Sequence, residues 1–317
     1  MAARLASFTV GPERYARFAR FALWALALIV LTGAAVRVTG SGLGCPTWPK
    51  CTDRSLYTQL NTHGVIEFGN RVLTSVVSFA VIAAFVLAFK RRPYRKDLVR
   101  LAALLPLGVV AQIVLGGFTV RYDLRPGFVM SHYLLSMLIL VAAVTLDWRA
   151  HREPDALPVT TDRLLGWGVR ALVALGALTI FAGTAATAAG PHAGGAGTGD
   201  VIKRLYFKGG ETLHYVISQH SKLATLLGVV AVALWFAARR RGASAQQVRA
   251  LTVVCVLLAV QGAIGALQYH YKLPAEIVWV HVGVAAATWV ALLFCVVNFG
   301  RLQRAPRASA REPLPSP

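Results

Sequence analysis

Residues 18–39 read FARFALWALALIVLTGAAVRVT, a stretch of 22 residues that carries charge only at Arg20 and Arg37. A helix needs about 20 mostly apolar residues to cross the hydrocarbon core of a bilayer. Similar runs predict further spans at 63–89, 98–120, 128–146, 164–188, 211–238, 248–269 and 276–299. The first run is longer than the apolar region of a signal peptide, so we expect the mature protein to keep it. The sequence therefore predicts an all-α integral membrane protein with eight transmembrane helices.

The composition favours a membrane protein and argues against a nucleic-acid-binding one. Of the 317 residues, 56% are hydrophobic and 15% are charged, whereas about 25% are charged in soluble domains. The net charge of +20 comes from short basic segments between the apolar runs, which form no patch along one element. With the N-terminus in the cytoplasm, 22 of the 33 Lys and Arg residues fall in inner segments and nine in outer segments. This excess predicts that both termini are cytoplasmic.

The two halves of the chain resemble each other at an offset of about 150 residues. The matching positions are Gly33 and Gly183, Gly40 and Gly190, Gln112 and Gln261, Gly116 and Gly265, Asn70 and His220, and His132 and His281. We infer two tandem four-helix bundles, 18–150 and 164–300, with pseudo-twofold symmetry about an axis along the membrane normal. The remaining expected segments are a cytoplasmic N-terminus (1–17), a cytoplasmic linker (151–163) and a disordered cytoplasmic tail (301–317).

Histidines in the predicted helices carry the main chemical signal. Five of the eight His lie there, all toward the outer face: His63, His132, His214, His220 and His281. A lone His in such a place more often hydrogen-bonds a neighbour than binds a metal. His220 and His281, however, stand at similar depth in one predicted bundle, where two neutral imidazoles suit the axial positions of haem iron. A zinc ion is the competing interpretation of these histidines. Zinc usually takes three or four protein ligands, however, and no HExxH or paired CxxC motif supplies them.

The second predicted helix carries polar side chains along one face. His63, Glu67, Asn70 and Arg71 stand at i, i+4, i+7 and i+8, so they cannot form a lipid-facing stripe. One interpretation is an internal Glu67–Arg71 ion pair with a structural role. The other is a carboxylate beside a bound cofactor, where it moves a proton or positions water. The spacing leaves both open.

Cys45 and Cys51 lie six residues apart in the first outer loop. On the oxidising side of a membrane, cysteines this close can form a disulfide. The spacing is typical of neither a zinc site nor a thioredoxin motif, so a structural and a redox-exchanging disulfide both stay open. Cys255 and Cys295 lie inside predicted helices and are expected to be core residues.

Three segments, together with the histidines, carry a resemblance to a known family. They are GAAVRVTGSGLGCPTWPKC at 33–51, IEFGNR at 66–71 and GPHAG at 190–194. The chain resembles the haem A synthase family, in its bacterial type with a cysteine pair in the first outer loop, from about residue 18 to residue 300. The resemblance implies a bacterial cell-membrane enzyme that oxidises a methyl group of haem O to a formyl group, which gives haem A for terminal oxidases.

The resemblance also implies roles for individual residues. His220 and His281 would be the iron ligands of a haem b cofactor in the C-terminal bundle. The substrate haem O would lie in the N-terminal bundle, with His132 as one axial ligand and Glu67 as the essential acid. Cys45 and Cys51 would form the disulfide found in the outer loop of many bacterial members.

The chain departs from the family pattern on the second helix. Many members have a His where this chain has Asn70, and Asn is a poor ligand of haem iron. His63 is the candidate substitute, although it lies two turns away, about 10 Å along the helix. Arg71 is expected to pair with Glu67 or with a haem propionate. His214 has no assigned role.

Expected partners follow from the same resemblance: the substrate haem O, haem O synthase, the assembly of cytochrome oxidase, and membrane lipid. The electron donor and the oligomeric state stay open. Two other functions compete, namely a bis-histidine membrane cytochrome b for electron transfer and a haem transporter. Asn70 argues against the first because it removes a ligand. The polar groups argue against the second because they gather toward the outer face and not near the midplane.

Overall fold

The computed structural model describes residues 8–58, 60–194 and 202–302, and long helices account for most of them. Eight of these helices are long and apolar enough to cross a membrane, which confirms the predicted number and fold class. In chain order they are α1 (Pro12–Val38), α2 (Thr62–Lys90), α3 (Lys96–Arg121), α4 (Pro126–Ala150), α5 (Arg163–Ala189), α6 (Thr212–Arg240), α7 (Ala245–His270) and α8 (Ala275–Phe299). Between α4 and α5 lie a 3-10 turn (Pro154–Ala156) and β1 (Val159–Thr160), which pairs in parallel with β2 (Arg301–Leu302). The rest of the expected tail, 303–317, lies outside the described residues.

Several helices extend beyond the predicted apolar spans because their polar ends carry their own start signals. α1 begins at Pro12, and proline is suited to the first turn of a helix because its fixed φ is already helical. The side chain of Asn61 caps α2 by accepting a hydrogen bond of 2.8 Å from the Gly64 N–H. Asp162 caps α5 in the same way through the Leu165 N–H at 3.1 Å. Hydropathy alone marks the membrane core of a helix and misses these ends.

The order in which the helices pack follows the internal repeat. α1 contacts α2 and α4, and α3 contacts α2 and α4. In the second half, α5 contacts α6 and α8, and α7 contacts the same two helices. The halves meet where α8 packs on α1 and α4, and where α4 packs on α5. The predicted pair of bundles and its pseudo-twofold axis stay a prediction.

Tryptophan side chains connect the two halves by hydrogen bonds. The indole N–H of Trp148 donates to Asn298 Oδ1 at 2.9 Å, and that of Trp289 donates to the Met137 carbonyl at 3.0 Å. The Trp279 indole donates to the Leu31 carbonyl at 3.0 Å. Trp148 and Trp289 are buried, and because a buried indole N–H needs a partner, their contacts fix how the two halves meet as well as adding apolar contact area.

The eight helices define two ends of the molecule. We call the end where α1 ends and α2 begins the disulfide side, and the end where α1 begins and α8 ends the terminal side. At the terminal side Val10 forms backbone hydrogen bonds with Lys90 and Arg92, each 2.9 Å long. Arg91 is fully buried there and donates to Glu153 at 3.2 Å. In the sequence, these basic residues indicate only how the protein is oriented in the membrane. In the structure they also attach the α2–α3 connection to Val10 and Glu153.

Candidate functional site

Cys45 and Cys51 form a disulfide at the disulfide side, with sulfur atoms 1.99 Å apart. Both cysteines are almost completely buried. We refer to residues 45–51 as the disulfide loop. The pairing that the family resemblance implies is therefore present.

Glu67 and Arg71 hold the disulfide loop on α2. The backbone N–H of Cys45 donates to Glu67 Oε2 at 2.7 Å, and Arg71 Nη2 donates to Glu67 Oε1 at 2.5 Å. Arg71 also donates to the carbonyls of Cys45 and Thr47, both at 3.0 Å, and to that of Lys50 at 3.2 Å. Both amino groups of the guanidinium are thus engaged by protein oxygens. The internal ion pair is formed, and each carboxylate oxygen of the buried Glu67 has a hydrogen-bond donor.

Two glycines let the first loop approach the helices closely. A Cβ on Gly44 would lie 2.3 Å from the His63 carbonyl oxygen, so no other residue fits there without movement of the backbone. A Cβ on Gly117 of α3 would lie 3.0 Å from Cδ2 of Trp48. The disulfide loop therefore reaches α3 one residue from Gly116, which itself lies against the His132 ring.

We expect Gly44→Ala to displace the disulfide loop, because its methyl group would overlap the backbone of α2. Such overpacking typically costs about 1–3 kcal/mol of folding free energy. The measurement is thermal unfolding in detergent, together with the reactivity of Cys45 and Cys51 toward a thiol reagent. Gly69→Ala is the matched control, since a Cβ at Gly69 meets no atom within 4 Å. Equal stability of the two variants would contradict the tight approach at Gly44.

His63 and Asn70 face different neighbours although both lie on α2. His63 Nδ1 lies 2.9 Å from the hydroxyl oxygen of Ser41 in the first loop. Asn70 Oδ1 accepts a hydrogen bond of 2.8 Å from the Thr32 hydroxyl on α1. The side-chain oxygen of Asn70 is therefore used in helix packing.

His132 stands on α4 in a pocket formed by α3. A Cβ on Gly116 would lie 3.4 Å from Cε1 of His132, so the small residue makes room for the ring. Gln112, one turn away on α3, donates from Nε2 to the His132 carbonyl at 2.9 Å and to the Ser136 hydroxyl at 2.5 Å. His132 Nδ1 is buried and has no hydrogen-bond partner among the described residues.

His220 and His281 face each other in the second half of the chain. Their ring centres are 6.2 Å apart and the ring planes are inclined by 77°. His220 Nδ1 lies 3.0 Å from the Thr179 carbonyl, which fixes this nitrogen as the N–H donor. A Cβ on Gly183 would lie 3.0 Å from His220 Cε1, and one on Gly265 would lie 3.4 Å from His281 Cε1. Both rings thus depend on a glycine of a neighbouring helix.

The His220–His281 separation fits two axial ligands of one iron. Metal–imidazole bonds are about 2.0–2.1 Å long and a ring nitrogen lies about 1.1 Å from the ring centre, so opposed ligands place their ring centres about 6.3 Å apart. The observed 6.2 Å agrees with this value. Within residues 8–58, 60–194 and 202–302, no group of three or more His, Cys, Asp and Glu side chains is arranged to hold a metal ion. The rival zinc site therefore has no donor set in this part of the chain.

A seam between the two halves crosses the disulfide side. Arg37 at the end of α1 donates from Nε to the His192 carbonyl at 3.3 Å, and His192 Nε2 lies 2.7 Å from the Leu273 carbonyl. The Gly42 N–H donates to the Gly194 carbonyl at 2.9 Å. The GPHAG segment thus ties the first loop to the α7–α8 connection. From the sequence alone this segment contributes only to the family resemblance. Its structural role could not be predicted, because the residues it contacts are 81 to 155 positions away in the chain.

The other predicted candidates lie apart from these groups. His214 is exposed on α6. Cys255 and Cys295 are free thiols inside α7 and α8, as expected of core residues.

The fold and these side chains define a class, that of multi-pass helical membrane proteins with histidine sites on one side. His63, His132, His220 and His281 all fall within the first nine residues of a helix that starts at the disulfide side. Residues 16–293 match the family Cytochrome oxidase assembly protein, and the chain belongs to this family.

Individual relatives agree with the family match. The chain is 27% identical over 162 residues to "Heme A synthase" of Lysinibacillus sphaericus (strain C3-41), a match that covers 50% of this chain and 53% of that protein. It is 23% identical over 162 residues to "Heme A synthase" of Bacillus cereus (strain AH187), with 50% and 52% covered, and equally to that of Bacillus mycoides (strain KBAB4). The matches thus span about half the length of these curated relatives.

Proposed function

We propose that this protein is a haem A synthase, which oxidises a methyl group of haem O to a formyl group. The observation that carries the proposal is the way in which the two halves differ. Where the first half has Glu67 and Arg71 holding a disulfide loop, the matching positions of the second half are Ile217 and Ser221. Where the second half has His220 facing His281, the first has Asn70. The first half would thus carry the residues of the reaction, Glu67 and Arg71. The second half would hold a cofactor through His220 and His281.

The second half would hold haem b through His220 and His281. Their 6.2 Å separation and the flanking glycines support this assignment. A haem with two imidazole ligands supplies one-electron transfer. Within the chain, the Thr179 carbonyl keeps the His220 Nδ1–H in place, so that Nε2 is the nitrogen left to bind iron.

The first half would bind haem O as substrate. His132 would be one axial ligand, since its ring lies against Gly116 in the position that corresponds to His281. His63 would replace the His that many relatives have in place of Asn70. This choice is supported by the hydrogen bond that Asn70 Oδ1 accepts from the Thr32 hydroxyl, because an oxygen engaged in this way is a poor candidate for an iron ligand. The disulfide loop, with Trp48 packed on Gly117, would close the site on the disulfide side and limit the entry of water.

Glu67 would handle protons beside the substrate methyl group. Arg71 donates to Oε1 and the Cys45 N–H donates to Oε2, so these two hydrogen bonds hold the carboxylate in one orientation before the substrate binds. A carboxylate in this setting can accept a proton from one hydroxyl of the gem-diol that two oxidations of the methyl group would give, and return it to the other hydroxyl, which leaves as water to form the aldehyde. Because both amino groups of Arg71 are engaged by Glu67 and three carbonyls, we assign the propionates of the substrate to other groups.

The proposal includes the organisation of the whole chain. The two halves, 18–150 and 164–300, would be tandem four-helix bundles joined by the linker 151–163. The disulfide side would face outward from a bacterial cell membrane, with both termini in the cytoplasm. Haem O synthase would supply the substrate, and assembly of cytochrome oxidase would use the product.

Analysis of the pigment tests the function. The chain is expressed with a haem O synthase in a host that lacks haem A, and the extracted haems are identified by chromatography and mass. We expect haem A or its hydroxylated precursor, and none from the host with haem O synthase alone. Haem B and haem O bound to the purified protein, with no oxidised product, would instead indicate an electron-transfer cytochrome or a haem carrier.

A further inference from the structure

A glutamine contact is repeated in both halves with the same geometry. Gln112 Nε2 on α3 donates to the His132 carbonyl on α4 at 2.9 Å, and Gln261 Nε2 on α7 donates to the His281 carbonyl on α8 at 2.9 Å. The glycine beside each histidine ring is also the same in both halves. A Cβ on Gly116 or on Gly265 would lie 3.4 Å from Cε1 and 3.9 Å from Nδ1 of the respective histidine.

Both pairs leave the same atoms without a partner. Among the described residues, seven buried side-chain nitrogen or oxygen atoms have no hydrogen-bond partner. Four of them are Oε1 of Gln112 and Gln261 and Nδ1 of His132 and His281. A buried polar atom without a partner destabilises the folded state, so the same omission in both halves requires an explanation.

The orientation of each carboxamide follows from its contact. A backbone carbonyl only accepts hydrogen bonds, so Nε2 must face it and Oε1 stays free to accept from another donor. Gln112 and Gln261 precede Gly116 and Gly265 by four residues, and therefore lie on the helix face that the Nδ1 edge of the histidine ring approaches. In each half the free acceptor and the free donor therefore lie on one pair of contacting helices, without a direct hydrogen bond between them.

We propose that Gln112 and Gln261 are positioning residues whose Oε1 accepts from one water, which in turn accepts the Nδ1–H of His132 or His281. This assignment rests on the proposed function, in which both histidines bind haem iron through Nε2. Metal-ligating histidines almost always donate their other N–H to an oxygen, which fixes the tautomer and makes the ligand more basic. The Thr179 carbonyl does this for His220. The two glutamines supply the corresponding acceptor for the other two rings.

The consequence is electronic as well as geometric. A more basic imidazole stabilises the oxidised iron, so the carboxamide lowers the midpoint potential of the haem. Removal of the oxygen should therefore raise this potential, whereas a loss of helix packing alone would reduce haem content and leave the potential of the remaining haem unchanged.

The test is a redox titration of the purified holoprotein with Gln261→Met, which keeps the side-chain length and removes both polar atoms. Gln246→Met is the matched control, because Gln246 lies on the same helix and its Nε2 donates to Asn298 of α8 at 3.0 Å. We expect a higher midpoint potential and altered low-spin EPR g values for Gln261→Met, and wild-type values for Gln246→Met. Wild-type values for both would overturn the proposal.

A second measurement covers the case in which Gln261→Met does not assemble. In His281→Gly protein, added imidazole can replace the lost ligand, and 1-methylimidazole can do so without an N–H on the second nitrogen. We expect imidazole to bind about two- to tenfold more tightly, and equal binding would overturn the assignment. A wild-type protein without a low-spin bis-imidazole haem would overturn the proposed cofactor site itself, and the assignment with it.

Discussion

Glu67→Gln protein is expected to retain its haem spectra and to form about 10²–10⁴-fold less haem A than the wild type, the range typical of a lost general acid or base. The substitution keeps the shape of the side chain and an oxygen that can accept the Cys45 N–H. Arg71 keeps its three carbonyl acceptors in the disulfide loop, so the loop should stay in place. The substitution removes the capacity to take up and release a proton, and with it the ion pair to Arg71, since the amide nitrogen of Gln cannot accept from Nη2.

The measurement is the ratio of haem A to haem O in extracted pigment, with the visible spectrum of the purified protein recorded in parallel. Glu276→Gln is the control, since Glu276 lies in the first turn of α8 on the same side of the molecule but is exposed. Loss of bound haem in Glu67→Gln would make Glu67 a structural residue. Undiminished haem A would remove it from the chemistry.

His281→Leu protein is expected to lose the low-spin bis-imidazole signal of haem b, because one of the two facing rings no longer exists. Leucine fills a similar volume against Gly265 and keeps α8 apolar, so the helix should still insert. Product formation should fall together with the signal, since the second haem is the proposed route for electrons.

His214→Leu is the matched control for this prediction. His214 lies on α6 two turns before His220 and is exposed, so its loss should change neither the spectrum nor the product. A bis-imidazole signal of haem b that persists in His281→Leu but disappears in His132→Leu would place the resident haem in the other half of the chain.

Much of this arrangement could be predicted from local sequence. The eight spans follow from apolar runs of membrane length. The spacing of four residues makes a Glu67–Arg71 ion pair one of two interpretations, and the pair is present in the structure. The Cys45–Cys51 pair follows from proximity in a short loop. Each of these features needs information only from residues close in the chain.

Contacts between distant segments could not be predicted in this way. The hydrogen bonds of Arg71 to the disulfide loop join residues 21 to 26 positions apart. Nothing in the sequence shows that its amino groups donate to three carbonyls of this loop. The Thr32–Asn70 hydrogen bond and the Arg37–His192 contact depend on which helix faces meet. The repeat does align Gln112 with Gln261, but the free carboxamide oxygens become visible only when both rings are in place.

The division of work between the two halves is tested most directly by identifying the haem that His132→Leu protein retains. If the first half binds the substrate and the second the cofactor, this variant should contain haem b alone, with an intact bis-imidazole spectrum and no haem O or haem A. Haem O or haem A retained at the wild-type level, or loss of the bis-imidazole spectrum, would contradict this assignment of the two sites.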